Sequence, residues 1–406
     1  MSPAAASFRA DAKVISLVGL AHGLSHFFQL VLPPLFPIVK DEFGVSYAAL
    51  GAVMAVFYSV SGIAQTAAGF LVDRLGARVI LLAGMVLVAA GAILTGLAPS
   101  FPWLFVAAAV GGLGNSVFHP ADFALLNAKV SPSRLGHAFG VHGIVGNVGW
   151  IVAPVFVFPI AQAYGWRVAL VAAGVVGLVA FGVLATQRDL GGAKLRPHAA
   201  AKGGGGLRAD VDLLLSWPIL TCFAFFALYA ITLIGFQTFS TAALTQLYGV
   251  PLVVATTALT AFLVGGAVGI LAGGFIAAHT DRHTLVTVAG MLIPALLAFV
   301  IATGTLPGGS LVAVMTMAGF GFGAMGPSRD IIVRGIAPEH ARGKVYGFVY
   351  SGLDVGGLVG PLLFGSFLDH GRPAWVFVGA AVIMLLAIFT VAGVGRRPGL
   401  RAPARA

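Results

Sequence analysis

Long apolar runs separated by short polar turns dominate this chain. Runs of span length fall near 14–39, 47–71, 78–98, 101–129, 135–163, 165–186, 214–244, 251–278, 284–304, 309–336, 343–369 and 372–394. A helix needs about 20 apolar residues to cross a bilayer, so each run reads as one span. The pattern predicts an all-α polytopic membrane protein with twelve transmembrane helices. After the sixth run it lapses into GGAKLRPHAAAKGGGGLRADVD, a Gly-, Ala- and charge-rich stretch whose four consecutive glycines support no helix. The chain therefore divides into an N-terminal tail at 1–13, a six-helix bundle at 14–186, a flexible linker at 187–213, a second bundle at 214–394 and a basic tail at 395–406.

The two bundles repeat one another. GLGNSVFHPADFALLNAKVSPSRLGHAFGVHGIVGNVGWIVAP, from Gly112 to Pro154, returns from Gly319 as GFGFGAMGPSRDIIVRGIAPEHARGKVYGFVYSGLDVGGLVGP. One offset of 207 residues pairs Pro120 with Pro327, Gly114 with Gly321, Gly136 with Gly343, Gly140 with Gly347, Asn147 with Asp354, Gly149 with Gly356 and Pro154 with Pro361. Such a doubled unit is expected of transporter folds built from repeated halves.

Composition agrees with a membrane setting: 59% of residues are hydrophobic, only 9% are charged, and the mean hydropathy is +1.01. The single Cys222 excludes a disulfide framework or a cysteine metal cluster and reads as a small packed hydrophobe. A net charge of +10 would suggest nucleic acid in a soluble protein. Here the basic residues sort by side of the membrane. With both termini inside, nineteen of the twenty-three lysines and arginines fall on cytoplasmic segments, Lys40, Arg167 and Arg372 in outer loops, and Arg329 within a span. The positive-inside rule then places both termini in the cytoplasm, and the N-terminal tail carries no cleavable signal pattern.

The turn after the second span reads GFLVDRLGARV, with Gly69, Leu71, Asp73, Arg74, Gly76 and Arg78. This resembles the Gly-x-Leu-x-Asp-Arg-x-Gly-x-Arg loop of the major facilitator superfamily. Glycines permit a tight turn, and the charged side chains can bond a neighbouring helix end, so Gly69, Asp73, Arg74, Gly76 and Arg78 form a candidate conformational latch. Its second copy, GGFIAAHTDRHTL, keeps Gly274 and Ile276 but has Ala278 and His279 in place of the acid and the base. AHGLSHFFQLVLPPLFPIVKDEFGVSYAALG and GLGNSVFHPADFALL, with the Ser116–Pro120 string most specific, are similar to the fosmidomycin-resistance branch of bacterial drug exporters. Two departures stand out: Ala121 follows the His-Pro, with Asp122 one place later, and Ser25–His26 stands where relatives can carry Asn-Asp. The resemblance implies the major facilitator fold, two pseudo-symmetric six-helix bundles with helices 1, 4, 7 and 10 lining a central cavity. It also implies proton-driven efflux of a small polar or anionic compound.

A charge inside a span costs about 2.5–3.5 kcal/mol on insertion scales, so it normally faces a cavity or a partner. The strong candidates are Asp122, Arg329, Asp330 and Asp354. Asn115, His119 and Asp122, at i, i+4 and i+7, share one face of span 4; His22, His26 and Gln29 share one face of span 1. Histidine titrates near neutrality and could carry the coupled proton. The offset of 207 maps Asp122 onto Arg329, which suggests an acid–base gate between the halves. The alternative is that Arg329 pairs with Asp330 or Asp354 and holds spans 10 and 11 together. Tyr229 and Gln237 on span 7, and Tyr346, Tyr350 and Asp354 on span 11, complete the candidate substrate and proton pathway; interhelical hydrogen bonding is their plainer role. Glycines at 136, 140, 143, 146 and 149, and at 343, 347, 356, 357 and 360, are expected to let helices pass closely. His22, His26, His119 and His142 raise the thought of a metal, but no cysteine and few acids accompany them, so no metal is assigned.

No Gly-x-x-x-x-Gly-Lys-Ser/Thr loop is present. The expectation is a secondary transporter without cofactor or catalytic residues, working as a monomer in a bacterial inner membrane. Its partners would be a small-molecule substrate, protons and the lipid bilayer, with no nucleic acid. The alternative is uptake or exchange of a small organic anion, and a non-transporting membrane sensor is a third reading.

Overall fold

The computed structural model describes residues 3–187, 190, 207–338 and 341–394. The basic tail at 395–406 and most of the expected linker, its glycine run included, lie outside the described residues. Twelve apolar helical spans follow in chain order: α1 Phe8–Phe43, α2 Tyr47–Leu75, α3 Ala77–Gly96, α4 Phe101–Lys129, α5 Pro132–Tyr164, α6 Trp166–Thr186, α7 Trp217–Tyr248, α8 Leu252–His279, α9 His283–Ala302, α10 Ser310–Ile336, α11 Lys344–Asp369 and α12 Ala374–Val391. No strand occurs among the described residues. The protein is an all-α, multi-pass membrane protein.

Two expected coil segments are partly helical. The N-terminal tail is not a separate element: the first helix runs without interruption from Pro3 to Gln29. Its alanine-rich opening favours helix, and Asp11, buried at 4% exposure, anchors it. Asp11 takes a hydrogen bond from Arg134 Nη1 at 2.6 Å and another from the Ser131 amide at 3.3 Å. At the far end of the linker, Leu207–Leu214 forms a short helix.

Several spans are broken, for identifiable reasons. In α1 the helix stops at Gln29 and resumes at Phe36–Phe43 after a 3₁₀ turn over Pro33–Leu35, because Pro33 and Pro34 supply no amide hydrogens. In α4 it stops at Asn115 and resumes at Phe118; Pro120 can neither donate to Ser116 nor avoid its carbonyl. In α7 Gly235–Phe239 form a wide π turn, and α11 breaks between Tyr350 and Gly352.

The chain forms two compact units, Met1–Ala199 and Ala200–Ala406. Within the first, α1 packs on α5, α2 on α4, and α3 on both α4 and α6. Within the second, α7 packs on α11, α8 on α10, and α9 on both α10 and α12. The same set of partners thus recurs. Close backbone crossings correspond too: a methyl group on Gly112 would meet the Phe57 carbonyl oxygen, and one on Gly319 would meet that of Phe262. In lipid, where tails are as apolar as Leu, such close backbone approach is a main source of helix association. Not every glycine serves it: Gly136, Gly140, Gly143 and Gly347 have no atom within 4 Å of an added methyl.

Candidate functional site

In the first unit the polar faces of α1, α4 and α5 converge. Asp122 on α4 is fully buried and His22 on α1 is 3% exposed. His142 Nε2 on α5 forms a hydrogen bond with Asp122 Oδ2 at 3.1 Å, and His22 Nδ1 lies 3.3 Å from the same oxygen. The His22 and His142 rings stack with centroids 3.5 Å apart. His26 follows His22 at 4.5 Å and stacks on Trp150 at 4.2 Å; His119 lies edge-on to His22 at 5.4 Å. Three buried atoms of this cluster take no hydrogen bond from the described residues: His22 Nδ1, His26 Nδ1 and Asp122 Oδ1.

An amide network adjoins the imidazoles. Asn115 Oδ1 accepts from Ser25 Oγ at 3.0 Å and from Gln29 Nε2 at 3.2 Å, and Asn115 Nδ2 donates to Ser61 Oγ at 2.9 Å. Trp150 Nε1 donates to Gln29 Oε1 at 3.2 Å. Helices α1, α2, α4 and α5 are thereby joined by one polar seam. The α4 break falls between Asn115 and His119, yet both still meet α1.

The second unit has a different site. Arg329 Nε donates to Asp330 Oδ1 at 3.0 Å, and Tyr350 Oη donates to the same oxygen at 2.9 Å. Tyr346 Oη donates to the Asp330 carbonyl at 3.1 Å. The guanidinium carbon lies 4.5 Å from the centre of the Phe226 ring and 5.1 Å from that of Tyr229. Arg329 and Asp122 each have partners inside their own unit. Asp354 takes no hydrogen bond through its carboxylate from the described residues. Gln237 is buried within the π turn of α7.

At the turn after α2, Gly76 adopts φ +91°, a conformation an L side chain resists. Arg78 donates to the carbonyls of Ala185 at 2.6 Å and Gln187 at 3.3 Å, at the C-terminal end of α6. A cation there satisfies orphan carbonyls and complements the helix dipole. Asp73 and Arg74 are exposed, and Gly69 has open space beside it. In the second copy His279 Nδ1 bonds the Phe275 carbonyl at 2.8 Å.

Trp150, Ser25 and Ser61 belong to the seam but were not singled out as site residues from sequence, and His142 entered only as a metal candidate set aside. A signal was available: His142, Gly146 and Trp150 recur at four-residue spacing on one face of α5.

Comparison with known proteins places this arrangement in a family. A chain from Escherichia coli (strain K12), the fosmidomycin resistance protein, is 27% identical over 152 residues, a match spanning 37% of each chain. The hexuronate transporter of Bacillus subtilis (strain 168) is 24% identical over 396 residues, 92% of this chain and 93% of that one. Among solved structures, a bacterial homologue of the human lysosomal transporter Spinster superposes with a TM-score of 0.77 at 16% identity, covering 97% of this chain and 99% of that one. The profile of the Major Facilitator Superfamily matches residues 18–328 and again 225–405, and the chain is a member of that superfamily.

Proposed function

We propose that this chain is a proton-coupled secondary transporter that exports a small polar or anionic compound by alternating access. Family membership itself makes it a transporter of small substrates and not an enzyme. The observation that carries the finer reading is Asp122, a fully buried carboxylate inside a span, in contact with two imidazoles and with one oxygen unpartnered. A proton gained or lost there changes the net charge in a poorly solvated place, which is an effective bias on a two-state equilibrium. No nucleotide loop offers another energy source. The resemblance to the fosmidomycin resistance protein supports the outward direction. We place the protein in a bacterial inner membrane as a monomer, with both termini cytoplasmic.

The test is a proteoliposome assay with an imposed pH gradient, screened over phosphonates, monocarboxylates and dicationic drugs. Solute moving against the proton flow supports export, and Asp122→Asn should abolish the response to the gradient.

A second reading, uptake or exchange of an organic anion, is favoured by Arg329, a basic residue of α10 set against aromatic faces. The end-to-end match to a hexuronate transporter supports it. Accumulation of an anion in the direction of the protons would select this reading.

A further inference from the structure

We propose that His22, His142 and Asp122 bind a divalent transition-metal cation. One ligand atom from each of the three lies within 4.8 Å of the others, and all three residues are buried. The two contacts at the shared carboxylate oxygen measure 3.1 and 3.3 Å. A tetrahedral ion with bonds of about 2.0–2.1 Å holds its ligand atoms about 3.3 Å apart, so the spacing at the carboxylate suits an ion, which would be bound as the stacked His22 and His142 rings turn their nitrogens towards it.

Hydrogen bonding alone leaves the cluster incomplete. His22 Nδ1 lies 3.3 Å from the carboxylate without a hydrogen bond to it, and Asp122 Oδ1 has no partner among the described residues, although both residues are essentially inaccessible. Buried polar atoms without partners are rare and call for an explanation; a cation bound by His22 Nδ1, His142 Nε2 and the Asp122 carboxylate supplies one. A second trio, His22, His26 and His119, meets the same distance limit. His22 is common to both, so an ion could pass from one trio to the other through it. Space for the rings comes from Gly146, where an added methyl would meet His22 Nε2 and His26 Nδ1 at 2.9 Å.

The donor set selects the class of ion. Imidazole with one carboxylate suits zinc, nickel or cobalt, whereas a soft ion such as copper(I) prefers thiolate or thioether. The lack of a cysteine in the cluster therefore argues against the soft ions alone.

Equilibrium binding decides the matter, using full-length protein purified through a tag free of histidine and stripped of metal. Titration with Co²⁺, read by its visible ligand-field bands, and with Zn²⁺, read by calorimetry, should show one saturable site with Kd of about 10 μM or tighter. Asp122→Asn and His142→Gln should weaken it about tenfold or more. His137→Gln and His370→Gln, on exposed rings away from the cluster, should leave it unchanged. If the cluster variants do not fold, X-ray absorption of the zinc-loaded wild type decides alone and should show at least two imidazole ligands at about 2.0 Å. No saturable binding, binding equal in the cluster variants, or zinc without imidazole ligands would overturn the proposal. The inference shares residues with the proton-coupled reading but does not rest on it. No gradient is present in the assay, so failure of proton-driven transport would leave metal binding standing.

Discussion

Gly149 of α5 lies so close to Gly23 of α1 that a methyl group on Gly149 would collide with the Gly23 carbonyl oxygen. The same offset of 207 residues takes this pair to Gly356 of α11 and Ala230 of α7, where a methyl on Gly356 would collide with the Ala230 side chain. Gly149→Val should therefore destabilise the purified protein by about 1–3 kcal/mol or more. Gly140→Val, on the same helix with open space around it, should stay within about 0.5 kcal/mol of wild type. Thermal or denaturant unfolding in detergent separates the two; equal losses would show that the crossing is looser than described.

Asp122→Asn keeps the shape of the carboxylate but removes its charge. Under the proton-coupled reading, transport in proteoliposomes should no longer respond to a pH gradient, while substrate counterflow at equal pH persists. Proton-driven transport at wild-type rate in this variant would rule that reading out.

Arg78 joins the turn after α2 to the end of α6 through two carbonyl hydrogen bonds. Arg78→Ala should cost about 1–2 kcal/mol of stability, the scale of charge-assisted bonds at a helix C-terminus. Asp73→Asn, on an exposed side chain, should leave the melting temperature unchanged.

Arg329 stands against Phe226 and Tyr229 while its Nε bonds Asp330. If the substrate is an organic anion that this guanidinium recognises, Arg329→Gln should raise KM about tenfold or more, equivalent to about 1.4 kcal/mol. Arg329→Lys should rescue it only in part, since an ammonium lacks the planar fork. An unchanged KM for the anion would remove Arg329 from recognition.

The Asp11–Arg134 pair ties the N-terminal part of the first helix to the start of α5. A double-mutant cycle with alanine at both positions should give a coupling of about 0.5–3 kcal/mol. The single Arg134→Ala should be the costlier change, because it removes the cation from a buried carboxylate and leaves the charge to the Ser131 amide. Zero coupling in unfolding measurements would reduce the pair to a surface contact.

The sequence by itself determined the class of molecule, the number of spans and the doubled plan. Each rests on one-dimensional quantities: run length against bilayer thickness, the period of apolar residues and the recurrence of glycine and proline at one offset. It also marked most of the ionisable residues of the seam, because charge inside an apolar run is visible without coordinates. What it did not determine is which of those residues touch. His22, Asp122 and His142 lie on three different spans, and only the crossings of α1 with α5 and of α4 with α1, set by how closely small residues let backbones approach, bring the two imidazoles to 3.3 and 3.1 Å from one carboxylate oxygen. Arg329 shows the same limit from the other side. The offset pairs it with Asp122 in sequence, but within its own unit the adjoining Asp330 and the rings of α7 already hold it. Contact depends on rotation and depth of helices about one another, which many side chains decide together and no single stretch of the chain encodes.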